Sequence, residues 1–182
     1  MGKIYPEITP AIADWIKRQP MFFVATAPLG TDHHVNLSPK GLDAFRLLDG
    51  ARVAYFDYTG SGAETIAHLR ENGRITFMFC AFTGPPKIVR LHGRGRIATP
   101  QSGEGRSFAP LFTSGEPPRC YIVADISRVS DSCGFGVPLM SFERERDAMA
   151  TWGKGKTEKD LADYRRAKNA VSIDGIPAWD ET

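Results

Sequence analysis

The residues best suited to chemistry in this 182-residue chain surround a short loop, residues 59–62 (TGSG), between a strand-like and a helix-like segment. Hydroxyl groups, exposed backbone N–H groups and the positive end of the following helix together form a cradle for an anion such as phosphate. A simpler interpretation is that Thr59 or Ser61 caps the helix while the glycines make the turn. The loop by itself leaves both interpretations open.

A second polar segment, residues 36–41 (NLSPKG), ends a predicted strand. Because Pro39 has no N–H to donate within a sheet, the strand must lie at an edge or an end there. Free backbone groups at such an edge can pair with the polar rim of a flat heterocycle. Lys40 could neutralise a phosphate or the negative charge of a reduced ring, or it could be a solvated lysine in a turn.

A third candidate is Arg90, which lies between Ile88 and His92 in an otherwise apolar predicted strand. If these three side chains share one face, that face presents a cation, and arginine suits bidentate binding of phosphate. An arginine at a barrel rim, paired with a carboxylate, is the alternative. Arg94 and Arg96 continue the same face, and we expect them to be exposed or to lie at a subunit interface.

Other catalytic and metal-binding patterns do not appear in the sequence. There is no GxGxxG that opens a helix, no Walker A pattern, no HExxH and no GxSxG. His33 and His34 are adjacent, so on a strand they would point to opposite faces, and we predict no metal site. The three cysteines form no CxxC pair and are predicted to be reduced thiols, with Cys80 as inert packing.

The composition is that of an ordinary globular protein, with 42% hydrophobic and 24% charged residues. A formal net charge of only +2 argues against a dedicated nucleic-acid-binding protein. No apolar run approaches the roughly 20 residues that a membrane-spanning helix needs, and residues 1–20 lack the pattern of a secretory signal. With the scattered cysteines, these features predict a cytoplasmic protein.

Hydrophobic periodicity predicts a chain that is mainly β with flanking helices. Six strands are predicted, at Met21–Ala27, His34–Ser38, Arg52–Tyr58, Arg74–Phe82, Lys87–Ala98 and Tyr121–Val129. Helices are predicted at Ile8–Gln19, Gly62–Glu71 and Thr157–Asn169, and residues 101–119 are predicted to be a surface segment with some helix. Strands in hairpin order indicate a small antiparallel barrel over residues 1–131, with residues 132–182 as a helical and loop extension packed on it.

Three details of these elements can be checked directly. In the helix at Gly62–Glu71, the spacing predicts that His68 points outward. Gly93 and Gly95 are expected to mark bulges or close approaches of backbone within their strand. The last helix should begin with Thr157 as its cap and Asp160 three residues later.

The order of these segments from Phe22 to Arg96 resembles the pyridoxamine 5'-phosphate oxidase-like family of FMN-binding split barrels. The matching stretches are FFVATA, HVNLSPKG, RVAYFDYTGSGAETIAHLRENGRITFMF and PKIVRLHGRGRI. The tail, from SCGFGVP to YRRAKNAVSIDG, resembles a branch of the family with no settled activity. The resemblance implies a six-stranded antiparallel split β-barrel that forms a homodimer, with two FMN sites at the subunit interface, each built from both subunits.

The resemblance also assigns residues to the FMN site. It places Asn36, Leu37 and Ser38 along the isoalloxazine edge, and Lys40, Thr59, Ser61 and Thr65 near the ribityl phosphate. Arg90 would lie on the strand that faces the cofactor, either in the same subunit or in the partner.

Two departures from the authentic oxidase argue against pyridoxamine phosphate as the substrate. Residues 174–182 end acidic, without the arginine that holds this substrate in the oxidase, and residues 62–64 (GAE) stand where the oxidase is basic. The implied function is an FMN-dependent oxidoreductase of unknown small-molecule substrate, in which the flavin performs the redox chemistry and no side chain is nominated as catalytic acid or base.

Two alternatives to this function remain at the level of sequence. One is a flavin-binding or sensing protein with little turnover. The other is a split barrel that binds haem or the deazaflavin F420, and haem would need an axial ligand from His33, His34, His68 or His92.

Overall fold

The computed structural model describes residues 2–112 and 117–180. Its eight antiparallel strands form one sheet: β1 (Ile4–Tyr5), β2 (Phe22–Thr26), β3 (Asn36–Lys40), β4 (Phe45–Leu47), β5 (Arg52–Asp57), β6 (Arg74–Cys80), β7 (Ile88–Ala98) and β8 (Cys120–Ser132). Neighbouring strands follow the order β3-β2-β6-β7-β8-β5-β4, and β1 pairs with β8. The sheet is the framework on which every candidate side chain is placed.

The sheet curls into a split barrel around an apolar core, with strands β3 and β4 at the two ends of the strand order. Aromatic packing rather than a hydrogen-bonded ladder closes the side near β4. The ring centroid of Phe45 lies 5.0 Å from that of Phe22 and 5.0 Å from that of Phe79. The outer backbone edge of β3 therefore has no partner strand among the described residues.

The predicted fold class is confirmed, with two short strands added to the six predicted ones. β1 has two residues and β4 has three, and segments this short show no recognisable alternation. β3 begins at Asn36 rather than at His34. The reason is that the backbone N–H of His34 donates to the carboxylate of Asp174, at 2.8 Å, instead of entering a ladder.

In the part of the chain that the structure describes, five α-helices flank the barrel: α1 (Pro10–Lys17), α2 (Glu64–Glu71), α3 (Gly103–Phe108), α4 (Ala148–Gly153) and α5 (Glu158–Lys168). The cap predicted for the last helix is confirmed as a reciprocal capping box. The N–H of Asp160 donates to the Thr157 hydroxyl at 3.2 Å, and the Asp160 carboxylate accepts from the Thr157 N–H at 2.8 Å. Within the described residues, no helix combines the length and apolar character needed to cross a membrane.

Helix α2 packs against the barrel more deeply than its polar residues suggest. His68, predicted to point outward, is fully buried, so that prediction is wrong. Thr26 on β2 supplies a buried hydroxyl 2.9 Å from His68 Nδ1, and a satisfied ring nitrogen makes burial of the imidazole tolerable. The prediction for Gly93 is confirmed, since the β7–β8 register shifts there and a Cβ would collide with the carbonyl oxygen of Asp125.

The C-terminal extension returns to the barrel after α5. Leu161 is buried, and Ile176 and Ala178 are buried within the same cluster as the barrel core. An ion pair of 3.0 Å also joins Asp180 to Arg70 on α2. These contacts bring the extension alongside α2 and the loop that precedes it.

Candidate functional site

Five polar side chains form one hydrogen-bonded network on the inner face of β3. Asn36 Nδ2 donates to Thr26 Oγ1 at 3.2 Å and to Thr65 Oγ1 at 3.1 Å. Ser38 Oγ donates to Asn36 Oδ1 at 3.0 Å, and Thr26 Oγ1 contacts His68 Nδ1. The structure thus brings three of the sequence candidates, Asn36, Ser38 and Thr65, together and joins the edge strand to the first turn of α2.

His68 and Thr26 are members of this network that the sequence did not identify. Burial lowers the pKa of His68, and it outweighs the opposite effect of the nearby carboxylates of Glu71, Glu64 and Asp174. The imidazole is therefore neutral near pH 7. Its Nε2 is buried and has no hydrogen-bond partner among the described residues.

A buried ion-pair centre lies at the end of β5. Asp57 accepts hydrogen bonds from Arg119 Nε at 2.9 Å and Nη2 at 2.6 Å, and from Lys40 Nζ at 3.2 Å. Burial by itself raises the pKa of the Asp57 carboxyl, but the charges of Arg119 and Lys40 together outweigh burial and hold that pKa below its ordinary value. Two cations against one carboxylate leave an excess of positive charge here.

Arg119 was missed at the level of sequence and lies in a segment predicted to be on the surface. The structure shows it to be 5% exposed, so the surface assignment is wrong for this residue. Its backbone N–H also donates to the carbonyl oxygen of Asp57 at 2.8 Å. The interpretation of Lys40 as a solvated turn residue is likewise wrong, because its ammonium group binds the buried carboxylate.

The loop at residues 59–62 is held from two sides. Asn169 Nδ2 donates to the carbonyl oxygens of Gly60, at 2.8 Å, and Ser61, at 3.3 Å. Arg119 Nη1 donates to the carbonyl oxygen of Gly62 at 2.8 Å. Ser61 is exposed, whereas the buried Thr59 hydroxyl has no hydrogen-bond partner in the part of the chain that is described. Such an unpaired buried hydroxyl indicates a missing polar partner.

Neither loop hydroxyl caps helix α2. The N-cap is Ala63, which has no side-chain hydrogen bond to the helix, so the interpretation of Thr59 or Ser61 as a cap is wrong. The Glu64 side chain instead folds back over the loop. Its Oε2 lies only 2.8 Å from the position that a Cβ at Gly62 would occupy. This carboxylate is favourable at the positive end of the helix and unfavourable for an approaching anion.

Leu37 and Arg90 lie on the opposite face of the sheet from Asn36 and Ser38. Residues paired across a ladder point to the same face of the sheet. Arg90 pairs with Met78, Met78 with Phe23, and Phe23 with Pro39, so Arg90 lies on the same face as Pro39. Arg90 Nη1 donates to Ser132 Oγ at 3.0 Å, and no carboxylate of the described residues binds it. Within one protomer Arg90 therefore cannot join the network, and Leu37, whose side chain is 64% exposed, can contribute only its backbone.

A cavity of about 1070 Å³ opens near the end of α1 and the turn between β6 and β7. Its walls are largely apolar and include Trp15, Met21 and Phe82. Met21 directly precedes Phe22, which pairs with Lys40, so the cavity begins beside the Lys40 end of the edge strand. The size and lining suit a small organic ligand.

Comparison with known proteins identifies the family. The family model described as Pyridoxamine 5'-phosphate oxidase matches residues 8–133, which contain strands β2 to β8, the polar network and the ion-pair centre. The chain belongs to the pyridoxamine 5'-phosphate oxidase family. One relative, the pyridoxamine 5'-phosphate oxidase family protein UstO of Aspergillus flavus, is 37% identical over 194 residues, covering 97% of this chain and 78% of UstO.

Solved structures share the split-barrel fold at low sequence identity. The tagged HupZ protein of Group A Streptococcus superposes with a TM-score of 0.53 at 22% identity, covering 67% of this chain and 91% of HupZ. The FAD binding protein from Mycobacterium smegmatis superposes with a TM-score of 0.50 at 12% identity, covering 70% of this chain and 97% of that protein. At these identities the likeness establishes the fold alone.

Proposed function

We propose that this member of the family is a homodimeric FMN-binding flavoprotein that acts as an oxidoreductase on a small molecule. The observation that carries the proposal is the hydrogen bond from Asn36 to Thr65, which joins a free strand edge to the start of a helix. A flat heterocycle can pair with the strand edge, and a phosphate can bind at the helix start. A single ligand that carries both groups, such as FMN, fits this arrangement.

Two further features of the described residues fit FMN. The buried Thr59 hydroxyl has no hydrogen-bond partner, and it belongs to the loop proposed for the phosphate. The ion-pair centre at Asp57 carries excess positive charge and touches the same loop through Arg119. Membership of the family and the fold shared with an FAD binding protein support a flavin, and the choice of FMN over FAD rests on the titration below.

The proposal includes a dimer because Arg90 faces away from the network of its own protomer. Its guanidinium can serve a flavin only if the outer face of one sheet approaches the site of a second subunit. That face also carries the apolar residue Leu37, which is 64% exposed, and Val35, 70% exposed, directly precedes the same strand. Exposed apolar patches of this kind mark interaction sites.

We propose a substrate other than pyridoxamine phosphate. The Glu64 carboxylate beside the loop opposes a second anionic group there. The acidic tail is also occupied, since Asp174 binds His34 at 2.7 Å and Asp180 binds Arg70. The cavity beside the Lys40 end of the edge strand provides apolar space for a different small organic molecule.

When bound, the flavin supplies the hydride and electron transfer. The residues of this chain bind and orient the ring and its phosphate. Asn36 and Ser38 fix the strand edge, and Thr65 connects it to the helix start. Lys40, held in place by Asp57, puts positive charge beside the ring site. Neutral His68 stiffens the network through Thr26 without adding a charge.

The test is a titration of the protein, freed of any bound cofactor, with FMN, FAD and riboflavin, followed by quenching of flavin fluorescence. We expect FMN to bind most tightly, and we expect Ser61→Ala and Arg90→Ala each to weaken FMN binding several-fold. Ser107→Ala, at an exposed position of α3, is the matched control and should leave binding unchanged. Reduction of the bound FMN by NADH or NADPH without oxygen then separates an oxidoreductase from a protein that only holds flavin.

Three outcomes would contradict parts of the proposal. Absence of quenching with FMN removes the cofactor assignment, and haem or F420 titration would then identify a different ligand by its absorbance. Tighter binding of FAD than of FMN corrects the flavin. Bound FMN that neither nicotinamide cofactor reduces argues against the oxidoreductase and for a binding or sensing role.

A further inference from the structure

Side chains from distant parts of the chain hold three successive carbonyl groups of the loop. Asn169, which follows α5, donates to the carbonyl oxygens of Gly60 and Ser61, and Arg119, which precedes β8, donates to that of Gly62. These contacts span 109, 108 and 57 residues of sequence. A loop needs no such anchoring merely to reverse direction, because glycine and serine do that locally.

Holding these carbonyls determines where the loop's N–H groups point. In a planar trans peptide, the C=O of one residue and the N–H of the next point in opposite directions. The carbonyl oxygens of Gly60 and Ser61 both accept from Asn169 Nδ2, so the N–H groups of Ser61 and Gly62 point away from Asn169. The carbonyl oxygen of Gly62 accepts from Arg119, so the N–H of Ala63 points away from Arg119. Adjacent N–H groups that point to one side, as those of Ser61 and Gly62 do, form a concavity suited to an anion.

We propose that Asn169 and Arg119 are positioning residues for the phosphate of the flavin, which they orient through the loop without touching it. The inference rests on the proposed function and extends it: the C-terminal extension is part of the cofactor site rather than a separate lid. Asn169 lies outside the matched region, residues 8–133, so the family resemblance does not assign it this role.

Burial and backbone hydrogen bonds fix the position of Asn169, so its side chain can hold the loop in place. The side chain is fully buried. Its backbone N–H donates to the carbonyl oxygen of Arg165 at 2.7 Å, and its carbonyl oxygen accepts from the N–H of Trp179 at 2.9 Å. A second observation at this loop is the hydroxyl of Thr59, a residue that is 5% exposed, which has no hydrogen-bond partner among the described residues.

The experiment compares FMN with riboflavin, which differ only by the phosphate, on the full-length protein. Dissociation constants are measured for wild type, Asn169→Ala and the control Lys168→Ala, whose side chain is exposed on the last turn of α5. We expect Asn169→Ala to weaken FMN binding about tenfold, which corresponds to about one hydrogen bond's net contribution, with riboflavin binding unchanged. Lys168→Ala should alter neither. Asn169→Ser, which keeps a smaller polar side chain, replaces Asn169→Ala if the alanine variant does not fold.

The readout separates the inference from the function on which it rests. If wild type binds neither flavin, or binds both equally, the proposed function or its phosphate site fails before Asn169 is considered. If wild type prefers FMN and the Asn169 variant keeps that preference, the positioning role is refuted. Equal weakening of both flavins also refutes it, because a merely structural role would disturb the ring site as much as the phosphate site.

Discussion

The ion-pair centre at Asp57 offers the sharpest test of the energetics of this fold. Replacing Arg119 with methionine keeps most of the side-chain volume but removes the guanidinium that binds the carboxylate at 2.6 and 2.9 Å. Asp57 is only 2% exposed, so water cannot take the place of the lost donor. Lys40 remains as the single cation, at 3.2 Å.

Removing one partner of a buried ion pair costs about 3–5 kcal/mol, because it leaves a charge that is buried and uncompensated. We expect Arg119→Met to fall at the lower end, about 3 kcal/mol, since Lys40 still binds Asp57. Lys40→Met is the matched comparison. The Lys40 side chain is 25% exposed, and such a partly screened pair contributes about 1 kcal/mol.

Urea denaturation followed by circular dichroism measures both values, with an unchanged m-value required for the comparison.

The pH dependence of stability gives a second readout. In wild type, the lowered pKa of Asp57 means that this residue's contribution is present above the unfolded pKa and is lost as pH falls through the folded pKa. Without Arg119, less positive charge opposes the effect of burial, so the pKa of the carboxyl should be higher in the variant than in wild type. As the pH falls from 7.5 towards 4, Asp57 should therefore take up a proton earlier in the variant, and the difference in stability between variant and wild type should shrink.

Two results would refute this reasoning. A destabilisation by Arg119→Met no larger than that by Lys40→Met would mean that the guanidinium does not compensate a buried charge. A difference in stability that stays constant as the pH falls from 7.5 to 4 would mean that Asp57 is not the group left uncompensated. In a double-mutant cycle with Asp57→Asn, the two substitutions should be strongly non-additive.

Three further predictions test the site. Glu64→Gln should tighten FMN binding a few-fold, since it removes the carboxylate that lies beside Gly62. Adding 0.5 M salt should reduce the difference in dissociation constant between this variant and wild type. The pKa of His68 is lowered in the folded state, so the unfolded chain takes up its proton first and stability should fall as pH drops below about 6.5. His68→Asn should flatten that part of a plot of melting temperature against pH, while the exposed His33→Asn should not. If the protein is the proposed dimer, Leu37→Asp should convert it into monomers in light-scattering measurements, and an unchanged molar mass would remove this face from the proposed interface.

The parts of the structure predicted from sequence are those encoded by short-range patterns. Apolar and aromatic runs, and in some segments alternation of apolar residues, located the six longer strands. The capping box at Thr157 and Asp160 follows from two residues three apart. Gly93 was recognisable because a glycine inside a long strand often marks a bulge or a close approach of backbone. The polar order along residues 36–40 was sufficient to bring Asn36 and Ser38 into one candidate site.

The contacts that were missed are set by tertiary pairing and carry no local signal. Arg119 and Asp57 are 62 residues apart, and nothing near Arg119 distinguishes it from a surface arginine. The spacing of apolar residues in α2 predicts His68 on the outer face of the helix. Its burial depends on the hydroxyl of Thr26, 42 residues away. In the sequence, Asn169 is recognisable only as the residue that ends α5. Its hydrogen bonds to the loop exist only because the C-terminal extension folds back on that loop.

The balance of charge around the loop bears on how the proposed flavin site would be completed. Asp57 offsets one of the two positive charges of Arg119 and Lys40 within the centre, and Glu64 places a further carboxylate beside Gly62. Around the loop, the described residues of one protomer therefore present two cations and two carboxylates, and the excess charge of the centre is too small to neutralise a phosphate that carries close to two negative charges. Backbone N–H groups can bind such an anion but cannot neutralise it. Arg90, which faces away from its own network, is suited to supply the missing charge from a partner subunit. The proposed site thus requires the dimer for electrostatic reasons as well as geometric ones, and FMN affinity should fall when the protein is diluted below its dimerisation constant.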